Sequence, residues 1–254
     1  MRIAVAGKGG AGKTTISATL ARLSGRSGSS VVAIDADANP NLGIALGVAP
    51  ETASAVTAIP SALVSRRLGG AGLTEPVEQV LDRYAVPAPD GVRLLAMGAP
   101  AHAEEGCLCS AHAVVSAVIE DLGDEPRRLV VVDMEASPEH LSRGTIRHVD
   151  VVCLVAEPYY RSLETVRRMA ALAAELPVAI VVVANKVRSS DDAQAIIEFC
   201  ARHELRFAGA VPWSDEVAAA DRSRTAVLDW PAAEAVTAAI AALRLDLGVA
   251  SPSS

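Results

Sequence analysis

The sequence predicts a single α/β domain built on a mostly parallel, twisted sheet with helices on both faces. Three observations lead to this fold class: short apolar runs that are continuous, helical patterns between them, and a glycine-rich segment directly after the first run. Continuous apolar runs are typical of strands that are covered on both faces. Regular alternation of strands and helices favours parallel pairing in a doubly wound sheet.

The apolar runs and the helical patterns define the expected elements. Seven segments are predicted to be strands: 3–6, 31–35, 92–97, 129–133, 151–155, 178–185 and 207–212. Six segments are predicted to be helices: 13–24, 75–84, 111–122, 161–175, 191–203 and 232–245. Segments 66–76 and 86–91 are predicted loops, too short to separate domains. We expect one domain over 1–248 and a disordered tail over 249–254.

Length and charge limit the classes of function. The chain has 254 residues, of which 51% are hydrophobic, enough for one large domain with a sizeable core. The net charge of −7 argues against general nucleic-acid binding and against attraction to an anionic membrane. No apolar run reaches membrane-spanning length, and the N-terminus runs straight into a strand, so we expect a cytoplasmic protein without a signal peptide.

The glycine-rich segment GKGGAGKTT (7–15) fits the Walker A pattern in its required context, after a strand and before a helix. Lys13 is expected to reach the β- and γ-phosphates of ATP, or the β-phosphate of ADP, and the Thr14 hydroxyl to bind Mg²⁺. A glycine-rich turn without a ligand is the alternative, although all fixed positions and both flanks match. The sequence therefore predicts a single-domain P-loop NTPase. The predicted phosphate contacts are Gly9, Gly10, Ala11, Gly12, Lys13, Thr14 and Thr15.

Acidic residues follow two of the predicted strands at the edge where such sheets bind ligands. Asp133 ends LVVVD (129–133), a Walker B strand, and should hold Mg²⁺ through a water. Asp35 and Asp37 end the second strand, with Asp35 closer to the metal or the phosphate loop. In-line attack on a γ-phosphate needs charge neutralisation and a positioned water. The alternative for Asp35 and Asp37 is a pair of loop acids that cap the next helix.

Two of the four cysteines form the pair CLC, Cys107 and Cys109. One pair offers two thiolates, whereas a closed tetrahedral or square-planar thiolate site needs four. A two-fold dimer would duplicate the pair and complete the site; two inert thiols are the alternative. Cys153 and Cys200 lie in apolar segments and are predicted to be buried small hydrophobes.

Two histidines lie near the cysteine pair, His102 before it and His112 after it. Each could assist a metal site or be an ordinary loop or helix-start residue.

The loop sequence KGGAGKTT (8–15) resembles the deviant Walker A of the signature-lysine ATPases. This resemblance implies that Lys8 crosses a dimer interface to the partner's nucleotide, and that Asp37 orients the attacking water. Lys8, Lys13 and Asp37 are then the catalytic residues. A solvated loop lysine is the alternative for Lys8.

The same resemblance implies two sets of adenine contacts. Asn185 follows the strand 178–185, where related ATPases place a base-contacting asparagine; a buried, helix-capping asparagine is the alternative. The segment VPWSDEV (211–217) resembles the second base-contacting loop, with Pro212 and Trp213 as contacts. Many relatives carry an acidic residue where this chain has Ser214.

Six segments together resemble the CooC-type ATPases, which are nickel-insertion accessory proteins for carbon monoxide dehydrogenase. The segments are KGGAGKTT, DADANPNL, EGCLCSAHA, VVVDMEASPEHLSRGT, EPYYRSLETVRR and ANKV. The resemblance implies an ATP-dependent homodimer with a Ni²⁺ site at its interface, formed by Cys107 and Cys109 of both chains. It also implies hydrolysis coupled to metal delivery to carbon monoxide dehydrogenase or a related metalloenzyme, with Zn²⁺ as a competing metal.

Two other functions compete with this interpretation. A MinD/ParA-like partitioning or positioning ATPase usually needs a basic surface or a basic amphipathic C-terminal helix. The segment 232–249 has one basic residue, Arg244, against Glu234 and Asp246. A small-molecule kinase or synthetase would need a separate substrate motif, and we find none. We therefore expect neither a nucleic-acid nor a membrane partner.

Overall fold

The computed structural model describes residues 1–67, 70–97, 109–125, 128–135 and 145–249. Its described strands are β1 (Arg2–Gly7), β2 (Ser30–Ala36), β3 (Val64–Arg67), β4 (Gly70–Leu73), β5 (Val86–Ala88), β6 (Val92–Ala96), β7 (Arg128–Met134), β8 (Val151–Ala156), β9 (Ala179–Val187) and β10 (Arg206–Pro212). Its described helices are α1 (Lys13–Arg26), α2 (Leu42–Leu46), α3 (Pro50–Ser54), α4 (Val77–Tyr84), α5 (Cys109–Asp121), α6 (Tyr160–Ala173), α7 (Ser190–Arg202), α8 (Asp215–Arg222) and α9 (Glu234–Asp246).

Eight strands form one sheet in the order β10-β9-β8-β1-β7-β2-β6-β5. Neighbouring strands are parallel except for the edge pair β5 and β6. The parallel register places Val5 and Asp35 opposite the same residue, Asp133, on either side of β7. The predicted α/β fold with a mostly parallel sheet is confirmed. The ends of β1, β2 and β7 therefore meet at one edge, at the point where the strand order reverses.

Both faces of the sheet are covered, which explains why the strands read as continuous apolar runs. Alternate residues of β1 enter different cores: Ala4 and Ala6 pack with α4, α5, α6 and α7, while Ile3 and Val5 pack with α1, α2 and α9. Small side chains at these central positions let the helices lie close to the strands. The result is a rigid base for the loops at the carboxyl edge.

All seven predicted strands and all six predicted helices are present, but both predicted loops contain strands. Segment 66–76 belongs in part to the antiparallel pair β3 and β4, and segment 86–91 begins with β5. These strands are only three or four residues long, and their glycines and proline give no apolar run. Pro87 is tolerated because β5 is the edge strand, where a missing N–H breaks no inner ladder.

The C-terminal end of the described chain is packed. Val249 is buried, and its N–H donates to the Arg244 carbonyl oxygen at 3.1 Å. The rest of the predicted tail, 250–254, lies outside the described residues. Within the described ranges, no helix combines the length and the apolar character needed to cross a membrane.

Candidate functional site

The loop between β1 and α1 has a positive φ at Gly7, Gly10 and Gly12, a backbone conformation that favours glycine. Gly7 has φ 150°, and a Cβ there would lie 2.6 Å from the carbonyl oxygen of Val155 on β8. Gly12 has φ 92° and precedes α1 in a left-handed conformation. Among the described residues no side chain caps α1, and its first turn has no acidic residue. The helix amides at this end are therefore available to an anion.

Lys13 begins α1 and is the buried cation of the site, with 7% of its surface exposed. Desolvation lowers the pKa of its ammonium group, while the charges of Asp133, Asp37 and Glu135 act in the opposite direction. Three carboxylates thus surround one lysine. A polyphosphate entering the loop would supply a further anionic partner for the Lys13 ammonium group.

Asp133 and Asp35 are the buried carboxylates behind Lys13. Asp133 Oδ1 accepts a hydrogen bond from Ser17 Oγ at 3.0 Å, and the hydroxyls of Thr14 and Ser17 lower the pKa of Asp133 against the effect of burial. Burial is the main cause that raises the pKa of Asp133 to about 6 and that of Asp35 to about 7. Carboxylates held in this way, beside a threonine hydroxyl, fit Mg²⁺, which binds through one or two carboxylates and substrate phosphates.

Asp35 also has the structural role that the sequence left open. Its Oδ2 accepts from the Leu42 N–H at 2.8 Å, at the start of α2, and its Oδ1 accepts from the Asp37 N–H at 3.2 Å. Asp37 is half-buried and accepts from the Asn39 N–H at 2.8 Å. Asp35 therefore fixes the loop on which Asp37 faces the site.

A cavity of about 500 Å³ opens beside the phosphate loop. The predicted base contacts Asn185, Pro212 and Trp213 line it together with Gly10, Gly12, Thr14 and Thr15. Val217, Val236 and Ile240 give it an apolar wall. The cavity is of the size and character of a small-molecule site and is continuous with the loop.

Asn185, with 7% exposed surface, holds the phosphate loop as well as lining the cavity. Its Nδ2 donates to the Ala11 carbonyl oxygen at 2.6 Å, and the helix that follows, α7, is capped by Ser189 instead. A Cβ at Gly12 would lie 2.2 Å from the same Nδ2, which gives a second reason for glycine at that position.

Trp213 forms the rim of the cavity. The Arg188 guanidinium carbon lies 3.9 Å from the centre of the Trp213 ring, and Trp213 Nε1 donates to Asp215 Oδ1 at 3.2 Å. Ser214 accepts from the Glu216 N–H and caps α8. An aromatic ring held in this way offers a fixed face for stacking.

Lys8 is half-buried and lies with its Nζ 5.7 Å from the centre of the Tyr159 ring. Sequence reasoning did not assign roles to the residues around it. Tyr159 Oη donates to Glu157 Oε2 at 2.8 Å, and Lys186 Nζ lies 2.8 Å from Glu157 Oε1 and 2.5 Å from the Gly10 carbonyl oxygen. The available signals were the motifs EPYY and ANK, which contain Glu157, Tyr159 and Lys186.

The predicted metal ligands fall at the limit of the described chain. Cys107 and His102 lie outside the described residues, and Cys109 begins α5 without a described side chain. His112 is buried, with Nδ1 3.4 Å from Thr145 Oγ1. Within the described part of the chain, no group of three His, Cys, Asp or Glu side chains could hold a metal ion.

The other two cysteines are buried, as predicted. Burial raises the pKa of Cys153 to about 12 and that of Cys200 to about 11. Neither thiol is therefore suited to be a thiolate ligand at neutral pH.

Comparison with known proteins gives the family to which the chain belongs. Residues 3–227 match the profile of the CobQ/CobB/MinD/ParA nucleotide binding domain. The chain is 36% identical over 238 residues to the carbon monoxide dehydrogenase accessory protein CooC of Rhodospirillum rubrum, covering 90% of each chain. It is 34% identical over 232 residues to an uncharacterized ATP-binding protein of Methanocaldococcus jannaschii, covering 85% of this chain and 87% of that one.

Solved structures show the same fold. The septum site-determining protein MinD of Pyrococcus horikoshii, complexed with Mg-ADP, superposes with a TM-score of 0.74 at 18% identity, covering 97% of this chain and 95% of that one. The MinD cell division protein of Aquifex aeolicus superposes with a TM-score of 0.70 at 20% identity over the full length of both chains. The chain belongs to the CobQ/CobB/MinD/ParA family of nucleotide-binding proteins and, within it, to the CooC-type ATPases.

Proposed function

We propose that this ATPase is a homodimerising metallochaperone, which binds nickel at an interface formed by Cys107 and Cys109 of two chains. It would assist metal insertion into carbon monoxide dehydrogenase or a related metalloenzyme. The observation that carries the proposal is the 36% identity to a carbon monoxide dehydrogenase accessory protein over 90% of both chains. The CLC pair adds independent support, because two thiolates are half of a closed thiolate site.

The arrangement of charged side chains supports the nucleotide half of this function. Lys13 and the first amides of α1 would bind the β- and γ-phosphates. Thr14 and Asp133 would hold Mg²⁺, which supplies charge neutralisation at those phosphates. Asp37, on the loop fixed by Asp35, would orient the attacking water. Each of these residues either positions a reacting group or neutralises phosphate charge, which are the two requirements of phosphoryl transfer.

The base would occupy the cavity beside the loop. Trp213 offers an aromatic face at its rim, and Pro212 and Asn185 line its inner part. Because Asn185 Nδ2 already donates to the Ala11 carbonyl oxygen, a base contact by Asn185 would use its remaining N–H or its oxygen.

The place where the described chain stops before the cysteine segment supports a link between nucleotide and metal. Met97, just after β6, donates its N–H to the Asp35 carbonyl oxygen at 2.8 Å. Met97, the last described residue before Cys107, therefore lies at the same sheet edge as Asp35 and Asp133. Lys8 acting on the partner's nucleotide and cysteines shared between chains would both require one symmetric dimer.

Metal analysis of anaerobically purified protein tests the proposal. We expect one nickel ion per two chains, with ATP increasing the fraction of dimer. Cys107→Ser and Cys109→Ser should each lose the metal, whereas the buried-thiol control Cys200→Ser should keep it. One nickel per chain, or nickel retained after both cysteines are replaced, would contradict the shared site.

A further inference from the structure

A closed ring of contacts links the phosphate loop to the ends of β8 and β9. Lys186, directly after Asn185, donates from Nζ to the Gly10 carbonyl oxygen at 2.5 Å and pairs with Glu157 Oε1 at 2.8 Å. Glu157 in turn accepts from Tyr159 Oη at 2.8 Å. The Tyr159 ring lies under the Lys8 ammonium, and the Lys8 carbonyl oxygen accepts from the Ala11 N–H at 3.1 Å. This N–H belongs to the same Gly10–Ala11 peptide whose carbonyl oxygen Lys186 contacts, so the ring is closed.

Glu157 is the residue of this ring that is held most firmly by burial and hydrogen bonds. It is 8% exposed, and its N–H donates to Oγ of the fully buried Ser162 at 2.9 Å. Both carboxylate oxygens are used, one by Lys186 and one by Tyr159. A buried carboxylate with a cation on one oxygen and a hydroxyl on the other has little freedom to reorient.

The orientation of the loop peptides follows from these bonds. In a trans peptide the carbonyl and the N–H point in opposite directions. Lys186 holds the Gly10 carbonyl, and Asn185 holds the next one, that of Ala11. Two consecutive peptides are thus fixed by two consecutive side chains of β9. The Gly12 N–H therefore points away from Asn185 and would be offered to a phosphate held by the loop.

We propose that Glu157 and Lys186 are positioning residues for nucleotide binding by the phosphate loop. Lys186 fixes the Gly10 peptide of the phosphate loop by donating to its carbonyl oxygen. Glu157 pairs with the Lys186 ammonium group and so keeps it within hydrogen-bonding distance of that oxygen. The loop is then already in its binding shape before nucleotide arrives, so less ordering is needed on binding. This proposal concerns the nucleotide site of one chain and does not depend on the proposed nickel site or dimer.

Nucleotide binding by the full chain tests the assignment. Lys186→Met removes the donor and the charge, and Glu157→Gln keeps the size but removes the charge. Each should weaken Mg-ADP binding, measured by calorimetry, by about tenfold, as expected for loss of a hydrogen bond to a charged group. In steady-state hydrolysis KM for ATP should rise with kcat little changed, because the preformed loop acts on bound substrate and transition state alike. Lys186→Arg, which keeps a cationic donor, should restore most of the affinity.

Glu164→Gln is the matched control. Glu164 also pairs with cations, Arg167 and Arg168, but on the exposed side of α6. Its replacement should leave ADP affinity unchanged. Wild-type ADP affinity in both Lys186→Met and Glu157→Gln would overturn the assignment. So would an affinity loss in Lys186→Arg as large as that in Lys186→Met. If ADP affinity falls as expected while nickel binding fails, the proposed metallochaperone function is wrong and this assignment stands.

Discussion

Asp35 on β2 and Asp133 on β7 lie directly opposite each other in the parallel register, and both carboxylates are buried. Burial is the first cause that raises both pKa values, to about 7 and about 6, and the charge of Asp133 further raises that of Asp35. Two adjacent carboxylates are thus kept where a bound cation such as Mg²⁺ would compensate their charge. The arrangement makes the nucleotide-free protein sensitive to pH.

We predict that the nucleotide-free protein loses stability as pH rises from about 4 to about 7. A carboxyl with a raised folded-state pKa binds protons more tightly when folded, so its contribution is complete below the unfolded pKa and is lost as pH rises through the folded pKa. For Asp35 the pKa rises from 3.8 to about 7, so the total is on the order of 4 kcal/mol, at ~1.4 kcal/mol per pKa unit. Urea unfolding at several pH values measures it. The free energy of unfolding should fall less steeply with pH in Asp35→Asn than in the wild type. An equal dependence on pH in that variant would show that Asp35 is not its source.

Lys13 and Asp37 should separate binding from hydrolysis. Lys13→Ala should weaken ATP and ADP binding by about 100-fold, because it removes the buried cation that contacts the phosphates. Asp37→Asn should leave the Kd for ADP near the wild-type value and lower kcat by about 100-fold, since a residue that orients water acts only in the chemical step. Calorimetry and phosphate release measure the two effects. Normal turnover in Asp37→Asn would disprove its role in orienting water.

Much of this site could be predicted from sequence because its parts are local. The motif Gly7 to Thr14 determines the loop conformation through residues that are close in sequence. Asp133 lies at the end of a strand that is recognisable from its apolar run. The ring through Glu157 and Lys186 could not be predicted in the same way. It depends on β8 and β9 being parallel neighbours, in register so that both ends reach the phosphate loop. Sequence spacing alone does not supply that register.

The short strands β3, β4 and β5 also could not be predicted from the sequence. The sequence predicted loops over 66–76 and 86–91, where the structure has the pair β3 and β4 and the edge strand β5. Short strands rich in glycine or proline have no periodicity of their own, and they form because longer elements provide partners.

Lys8 should act across the dimer interface of the proposed function. Lys8→Ala should bind ADP normally as a single chain but lose ATP-promoted dimerisation and most turnover. Mixing Lys8→Ala with Asp37→Ala should recover part of the wild-type rate, because each mixed dimer keeps one complete site. Light scattering confirms that mixed dimers form. Absence of any recovery in such dimers would exclude action on the partner's nucleotide.

Stability away from the site should depend on a buried arginine of α1. Arg22 has 3% of its side chain exposed and binds Asp90 through Nε at 2.6 Å. It also binds both oxygens of Asp229, at 2.5 and 2.8 Å. It thereby ties α1 to the turns Pro89–Gly91 and Val227–Asp229. Hydrogen bonding from Arg22 is the first cause that lowers the pKa of Asp229, so this contribution is lost as pH falls through the folded-state pKa.

We predict that Arg22→Met lowers the free energy of unfolding by about 3 kcal/mol, because it leaves two partly buried carboxylates without their main cation. Arg26→Met is the matched control: Arg26 contacts the same two acids from an exposed position, so its loss should cost less than about 1 kcal/mol. Urea unfolding at pH 7 measures both variants. Arg22 lies nine residues along α1 from Lys13, a helix length of about 13 Å. ADP affinity of folded Arg22→Met should therefore stay at the wild-type value. Equal losses in the two variants would show that burial of Arg22 does not decide its contribution.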